Sequence, residues 1–106
     1  FNSELQADLA IGANGTNAAK VLLVDLYTRS RAQAANPAQY GLTNVTMPAC
    51  DLGSNALGSS LVCNGTNLVA GDVSHYAFSD TLHLTPYNYA LLSEFVSEKM
   101  LGRGWF

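Results

Sequence analysis

The chain has 106 residues, 48% of them hydrophobic and only 12% charged, with five Lys and Arg against eight Asp and Glu for a net charge of -3. That length makes one domain or part of one with a modest core, and the apolar content speaks against disorder. The basic residues Lys20, Arg29, Arg31, Lys99 and Arg103 form no stripe able to neutralise phosphates, so nucleic acid is not an expected partner. No apolar run approaches the ~20 residues of a membrane-spanning helix.

Phe1, Leu5 and Leu9 recur at four-residue spacing ahead of Gly12 and the Asn14-Gly15 turn signal, which predicts an amphipathic helix whose partner face lies elsewhere. Val21 to Val24 form an uninterrupted run with β-branched residues, the pattern of a strand buried on both faces in a parallel sheet. Asp25 follows at its carboxyl end, where it either caps the next helix or faces a cleft, the cap being the commoner role. A short helix is predicted over Tyr27 to Ala35. Asn36-Pro37 ends it, because a residue before proline is pushed out of the α region.

Residues 36 to 75 are rich in Asn, Gly, Ser and Pro and read as a long functional loop in which Leu61-Val62 and Leu68-Val69 are edge strands or packed loop. The loop holds both cysteines, Cys50 and Cys63, separated by DLGSNALGSSLV. A disulfide is the natural reading, and it implies an oxidising compartment. Such a bridge stabilises by about 3 kcal/mol through the unfolded state; the alternative is two buried thiols. Asn14-Gly-Thr16, Asn44-Val-Thr46 and Asn64-Gly-Thr66 match the glycosylation sequon, which matters only in a eukaryotic secretory pathway and arises by chance in an Asn-rich chain.

Thr85-Pro86 is an N-cap followed by proline at the first helical position. Leu91 and Phe95, then Leu92, Val96 and Met100, repeat beyond it to Gly102, predicting the longest helix of the chain. The order of helix, buried strand, helix, long loop and helix belongs to an α/β layered fold. A single strand makes no sheet, so the chain is expected to be the carboxyl-terminal part of a larger domain. An opening residue Phe1 in place of Met points the same way.

Just before the last helix stands YAFSDTLHLTPYNY, with Asp80 three residues ahead of His83. An aspartate so placed can fix one imidazole nitrogen while the other acts as a base, as in a serine-hydrolase triad. Spacing alone also fits a surface pair with no catalytic duty. His75 has no aspartate at such a spacing, and a structural role suits it better. Cys50, Cys63, His75 and His83 lack the close cysteine spacing of a zinc knuckle. Ser74 and Ser79 lie near His83 but on no strand-to-helix elbow. Tyr87 and Tyr89 either line an acyl pocket or pack in the core.

The order FNSELQADL, VLLVDLY, ANPAQYGLTNVTMPAC, a second cysteine, and YAFSDTLHLTPYNYALLSEFV resembles the final third of a secreted bacterial GDSL-type, or SGNH, esterase or lipase. The resemblance covers nearly the whole chain. It implies a flavodoxin-like, three-layer parallel-sheet fold, incomplete on its own, with no cofactor and with an ester or lipid as substrate. It further implies that Asp80 orients His83 and that His83 is the base. A Gly-Asp-Ser block and the oxyanion-hole Gly and Asn are absent from the sequence, since Gly71-Asp72 is followed by Val73. The nucleophile is therefore expected on an amino-terminal segment of the same precursor, and the chain alone is expected to be inactive. The rival expectation is a non-catalytic fragment or binding lobe that folds by association with another chain or copy. Proline follows the histidine two positions later than in many members of the family.

Overall fold

The computed structural model describes residues 1–13 and 21–105. Among the described residues three helices, α1 (Asn2–Ala13), α2 (Leu26–Ala35) and α3 (Pro86–Gly102), accompany two strands, β1 (Asn44–Pro48) and β2 (Tyr76–Phe78), with short 3-10 turns at Pro37–Tyr40 and Ser60–Val62. The strands pair in parallel, so the fold class is α/β with a two-stranded parallel sheet.

The predicted start of α3 holds for the expected reason. The Thr85 hydroxyl accepts the Asn88 amide at 3.2 Å and Pro86 opens α3, which runs to Gly102. Asn36-Pro37 ends α2. Asp25 takes the capping role at the other end of α2, accepting the Thr28 amide at 3.0 Å and its hydroxyl at 2.7 Å. The turn after α1 and the sequon at Asn14 lie outside the described residues. On the apolar stripe of α1 Leu5 is exposed and Leu9 half-buried, and Phe1, just ahead of the helix, is 95% exposed.

The expected strand at Val21–Val24 is not formed: those residues have no regular structure and Leu23 is exposed. A strand apolar on both faces is stable only between neighbours, and β1 and β2 pair with each other instead. The long loop expected over residues 36 to 75 conversely contains β1, at a place where no strand was expected. Its sequence, NVTMP, opens and closes with residues disfavoured in strands. Asn44 bends it, because the side-chain carbonyl accepts the amides of Thr46 at 3.0 Å and Met47 at 2.9 Å. The register accordingly slips between the Asn44–Tyr76 and Pro48–Phe78 pairs. Leu61-Val62 falls in the second 3-10 turn, and Leu68 makes an isolated bridge with Cys50.

Asn88 locks three elements together. Its amide donates to the Ala77 carbonyl at 3.2 Å, and its side-chain oxygen accepts from Gln33 of α2 at 3.0 Å. Arg29 of α2 lies over the rings of Tyr40 and Phe95, 4.5 and 4.7 Å from their centroids, a cation–π clamp from α2 to α3. Gly41 sits at a φ of 69°, and a Cβ there would collide with the Tyr87 hydroxyl, which donates to the Tyr40 carbonyl at 2.8 Å.

Buried apolar side chains among the described residues are few: Leu42, Ala49, Cys50, Ala77 and Phe95. The radius of gyration is 17.4 Å, whereas a compact chain of 100 residues has about 13 Å. The molecule is therefore drawn out, with apolar surface left open.

Candidate active site

β2 delivers the chain to the site and α3 carries it away. Between them, residues 79–84 form a closed turn: Phe78 bridges Leu84, the Ser79 amide donates to the His83 carbonyl at 2.8 Å, and the Ser79 hydroxyl to the Leu84 carbonyl at 2.9 Å. The Thr85 amide then donates to Ala77 at 3.1 Å, and its hydroxyl to the Tyr76 carbonyl. Both ends of the turn are thus pinned to the sheet.

Within that turn the Asp80 carboxylate is 4% exposed and is held by backbone groups. Oδ1 accepts the amides of His83 at 2.6 Å and Leu82 at 2.8 Å, while Oδ2 accepts the Ser60 amide at 2.7 Å. These bonds hold the carboxyl far below the usual carboxylate range. The His83 amide contributes most and the Ser60 amide next, against burial, which pushes the other way; the Ser60 side chain and the Leu82 amide add less. Asp80 is therefore an anion at any working pH, through fixed amides and without needing a charged imidazole.

An ionised carboxylate only accepts hydrogen bonds, and that decides the state of His83. Its Nδ1 lies 2.9 Å from Oδ2 and 3.1 Å from Oδ1 of Asp80, so in the neutral ring Nδ1 carries the hydrogen and donates it. Nε2 then keeps its lone pair and bonds to nothing among the described residues. The His83 side chain is 53% exposed, so that nitrogen is open to a reacting group.

The remaining candidates fall elsewhere. His75 donates from Nδ1 to the Gly41 carbonyl at 2.8 Å and stacks on Tyr87 with centroids 4.0 Å apart, which ties the Gly41 corner to α3. Ser74 spends its hydroxyl on Asp72 at 2.6 Å and Ser79 on Leu84, so neither faces His83. Cys50 and Cys63 are joined to each other, with Cα atoms 6.0 Å apart, which removes the thiolates from the zinc alternative. Tyr87 borders an open cleft of about 470 Å³ with Ala49, Cys63, Leu68 and Val73, whereas Tyr89 is exposed on α3.

Sequence reasoning missed the Ser60 amide, whose residue stands 20 positions before its partner in an irregular loop. A backbone donor leaves no trace in side-chain identity. The only available signal was that the cysteine-bounded loop had to be held somewhere.

The held carboxylate makes stability depend on pH. Its pKa is depressed on folding, so its contribution is complete above the unfolded value of about 3.9 and is lost as pH falls below it. Asp25 and Asp72, lowered by Thr28 and Ser74 respectively, act in the same direction. The urea midpoint is expected to stay level above about pH 5 and to drop below about pH 4. In Asp80→Asn that drop is shallower. An equally steep acid limb in the variant counts against the Asp80 anchor.

A carboxylate held by backbone amides and set against an imidazole whose second nitrogen is open is a geometry that hydrolases use to orient a general base. Comparison with known proteins points to the same class. The chain is 27% identical over 105 residues to GDSL esterase/lipase At1g58430 of Arabidopsis thaliana, covering 99% of this chain and 28% of that protein. It is 30% identical over 103 residues to GDSL esterase/lipase At1g20120 of the same plant, covering 96% and 25%. GDSL esterase/lipase At2g40250, also from Arabidopsis thaliana, is 26% identical over 100 residues, covering 94% and 27%. The chain thus spans about a quarter of the length of the curated relatives it matches. These relatives are plant proteins, which corrects the expectation of a bacterial group. No family model matches the chain, and no solved structure does.

Proposed function

We propose that this chain supplies the acid–base half of a Ser-His-Asp triad in a GDSL-type carboxylic-ester hydrolase. The nucleophilic serine and the oxyanion-hole groups come from an amino-terminal segment of the same precursor, which also completes a flavodoxin-like parallel sheet. The observation that carries the reading is the Asp80–His83 pair, with Nδ1 given to a fixed anion and Nε2 left free. Similarity to GDSL esterase/lipases along nearly the whole chain supports it.

In the reaction, the serine oxygen attacks the ester carbonyl carbon while its proton passes to Nε2 of His83, and Asp80 stabilises the resulting imidazolium. Collapse breaks the bond to the alcohol oxygen, which takes the proton from Nε2. Water repeats the sequence on the acyl-serine and restores the free enzyme. The substrate is an ester or lipid, and the Cys50–Cys63 bridge fits a secreted, periplasmic or cell-surface enzyme. The test is ester turnover by the assembled enzyme with and without the His83 imidazole. Loss of nearly all kcat supports the assignment, and unchanged turnover refutes it.

A further inference from the structure

The cysteine-bounded loop reaches the site through one backbone bond, and that bond belongs to a closed circuit. The Cys50 amide donates to the Ser79 carbonyl at 3.0 Å, beside Asp80. The disulfide leads from Cys50 to Cys63, and the Cys63 amide donates to the Ser60 carbonyl at 3.0 Å, closing the 3-10 turn. The Ser60 amide returns to Oδ2 of Asp80 at 2.7 Å. Oδ2 is the oxygen nearer to His83 Nδ1.

Beyond that circuit the loop is held by hydrogen bonds: the Asn67 carbonyl accepts the Asp51 amide at 2.8 Å, its side-chain oxygen the Asn64 amide at 2.7 Å, and the Ala49 carbonyl the Val69 amide at 2.9 Å. Asn55 bonds to Ser59 and Leu57 inside it, and Asn67 bonds to the Val62 carbonyl at its far end. Its apolar side chains Leu57 and Leu61 are 60% and 82% exposed, so burial does not anchor it. Opening the disulfide would leave its carboxyl-terminal end tied to the sheet only by hydrogen bonds and by the main chain that runs on to β2. The Ser60 amide would then leave Oδ2, which would be free to turn away from Nδ1.

We propose that the Cys50–Cys63 loop is a positioning element of the site: by fixing the Ser60 amide on Oδ2 of Asp80, it holds the carboxylate in the orientation that keeps the hydrogen of His83 on Nδ1. Ser60 acts through Asp80 and touches no substrate. The inference rests on the triad reading for its catalytic meaning, but the imidazole tautomer can be read without any nucleophile, so the two fail separately.

Residue 60 allows a test. It opens a 3-10 turn, where proline is tolerated, and Ser59 before it is extended at φ -140° and ψ 151°, the conformation proline requires of its predecessor. Ser60→Pro therefore deletes the hydrogen-bond donor without backbone strain, although its ring Cδ stands where the amide hydrogen pointed and presses on Oδ2, and Ser60→Ala keeps the donor. Nitrogen NMR of the imidazole in the 106-residue chain reads the tautomer. Wild type and Ser60→Ala hold the hydrogen on Nδ1. In Ser60→Pro and in Cys50→Ala/Cys63→Ala the Nδ1-protonated share falls to roughly half or less. Because the proline ring also pushes on Oδ2, the deciding variant is a semisynthetic chain with an ester in place of the Ser59–Ser60 peptide, which removes the hydrogen alone. In the assembled enzyme the same changes lower kcat about tenfold and leave KM within about twofold. A folded chain that lacks the Ser60 donor yet keeps Nδ1 fully protonated overturns the proposal. Loss of the tautomer without effect on turnover removes the triad reading instead.

Discussion

Replacing Asp80 with alanine is expected to cost both fold and activity. The change leaves the amides of Ser60, Leu82 and His83 without their acceptor in a site that is 4% exposed. An unmet buried donor costs about 1–3 kcal/mol, and water entering the vacated space relieves part of the loss, so destabilisation of about 2–4 kcal/mol is expected. In a chain with so few buried apolar side chains that is a large share of total stability, and a fall in urea midpoint measures it. Asp80→Asn separates the two roles. It keeps one oxygen for the His83 and Leu82 amides but turns an NH2 group towards Ser60 and Nδ1, where donor would meet donor. The ring is then driven to the other tautomer, and kcat is expected to fall about 10³–10⁴-fold while the fold survives.

His83→Ala is expected to do the reverse, abolishing turnover at almost no structural cost. The His83 amide still bonds to Asp80, and its carbonyl still accepts from Ser79, because both are backbone groups. What disappears is an exposed ring and one bond to a carboxylate that retains its amides, a loss below about 1 kcal/mol. With the base gone from the assembled enzyme, kcat falls about 10⁴-fold or more while KM changes little. A variant that unfolds with wild-type kcat per folded molecule would identify His83 as a structural residue.

How far the molecule could be read in advance follows from where its determinants lie. Caps and terminators are written in single residues, so Asp25, Asn36-Pro37 and Thr85-Pro86 marked helix boundaries that the structure keeps. Cysteine pairing was legible because only two cysteines exist. Asp80 and His83 were legible because their chemistry and spacing are local, and the structure brings them within 2.9 Å. Sheet formation is non-local, and there the reading failed twice. Val21–Val24 has the composition of a buried strand but no strand beside it among the described residues. Asn44–Pro48 has the composition of a turn but finds Tyr76–Phe78 alongside. The Ser60 amide escaped for the same reason, since its role depends on tertiary placement and not on its side chain.

The central proposal is that this chain carries the general base of an ester hydrolase and the carboxylate that orients it, with the nucleophile outside residues 1–106. The most direct measurement is hydrolysis of a short-chain p-nitrophenyl ester by the chain, by the Gly-Asp-Ser-bearing segment that the proposal places in its precursor, and by the two combined. Turnover confined to the combination, and lost from it with His83→Ala, is the predicted result. Turnover by the Gly-Asp-Ser segment alone at the rate of the combination would contradict the account.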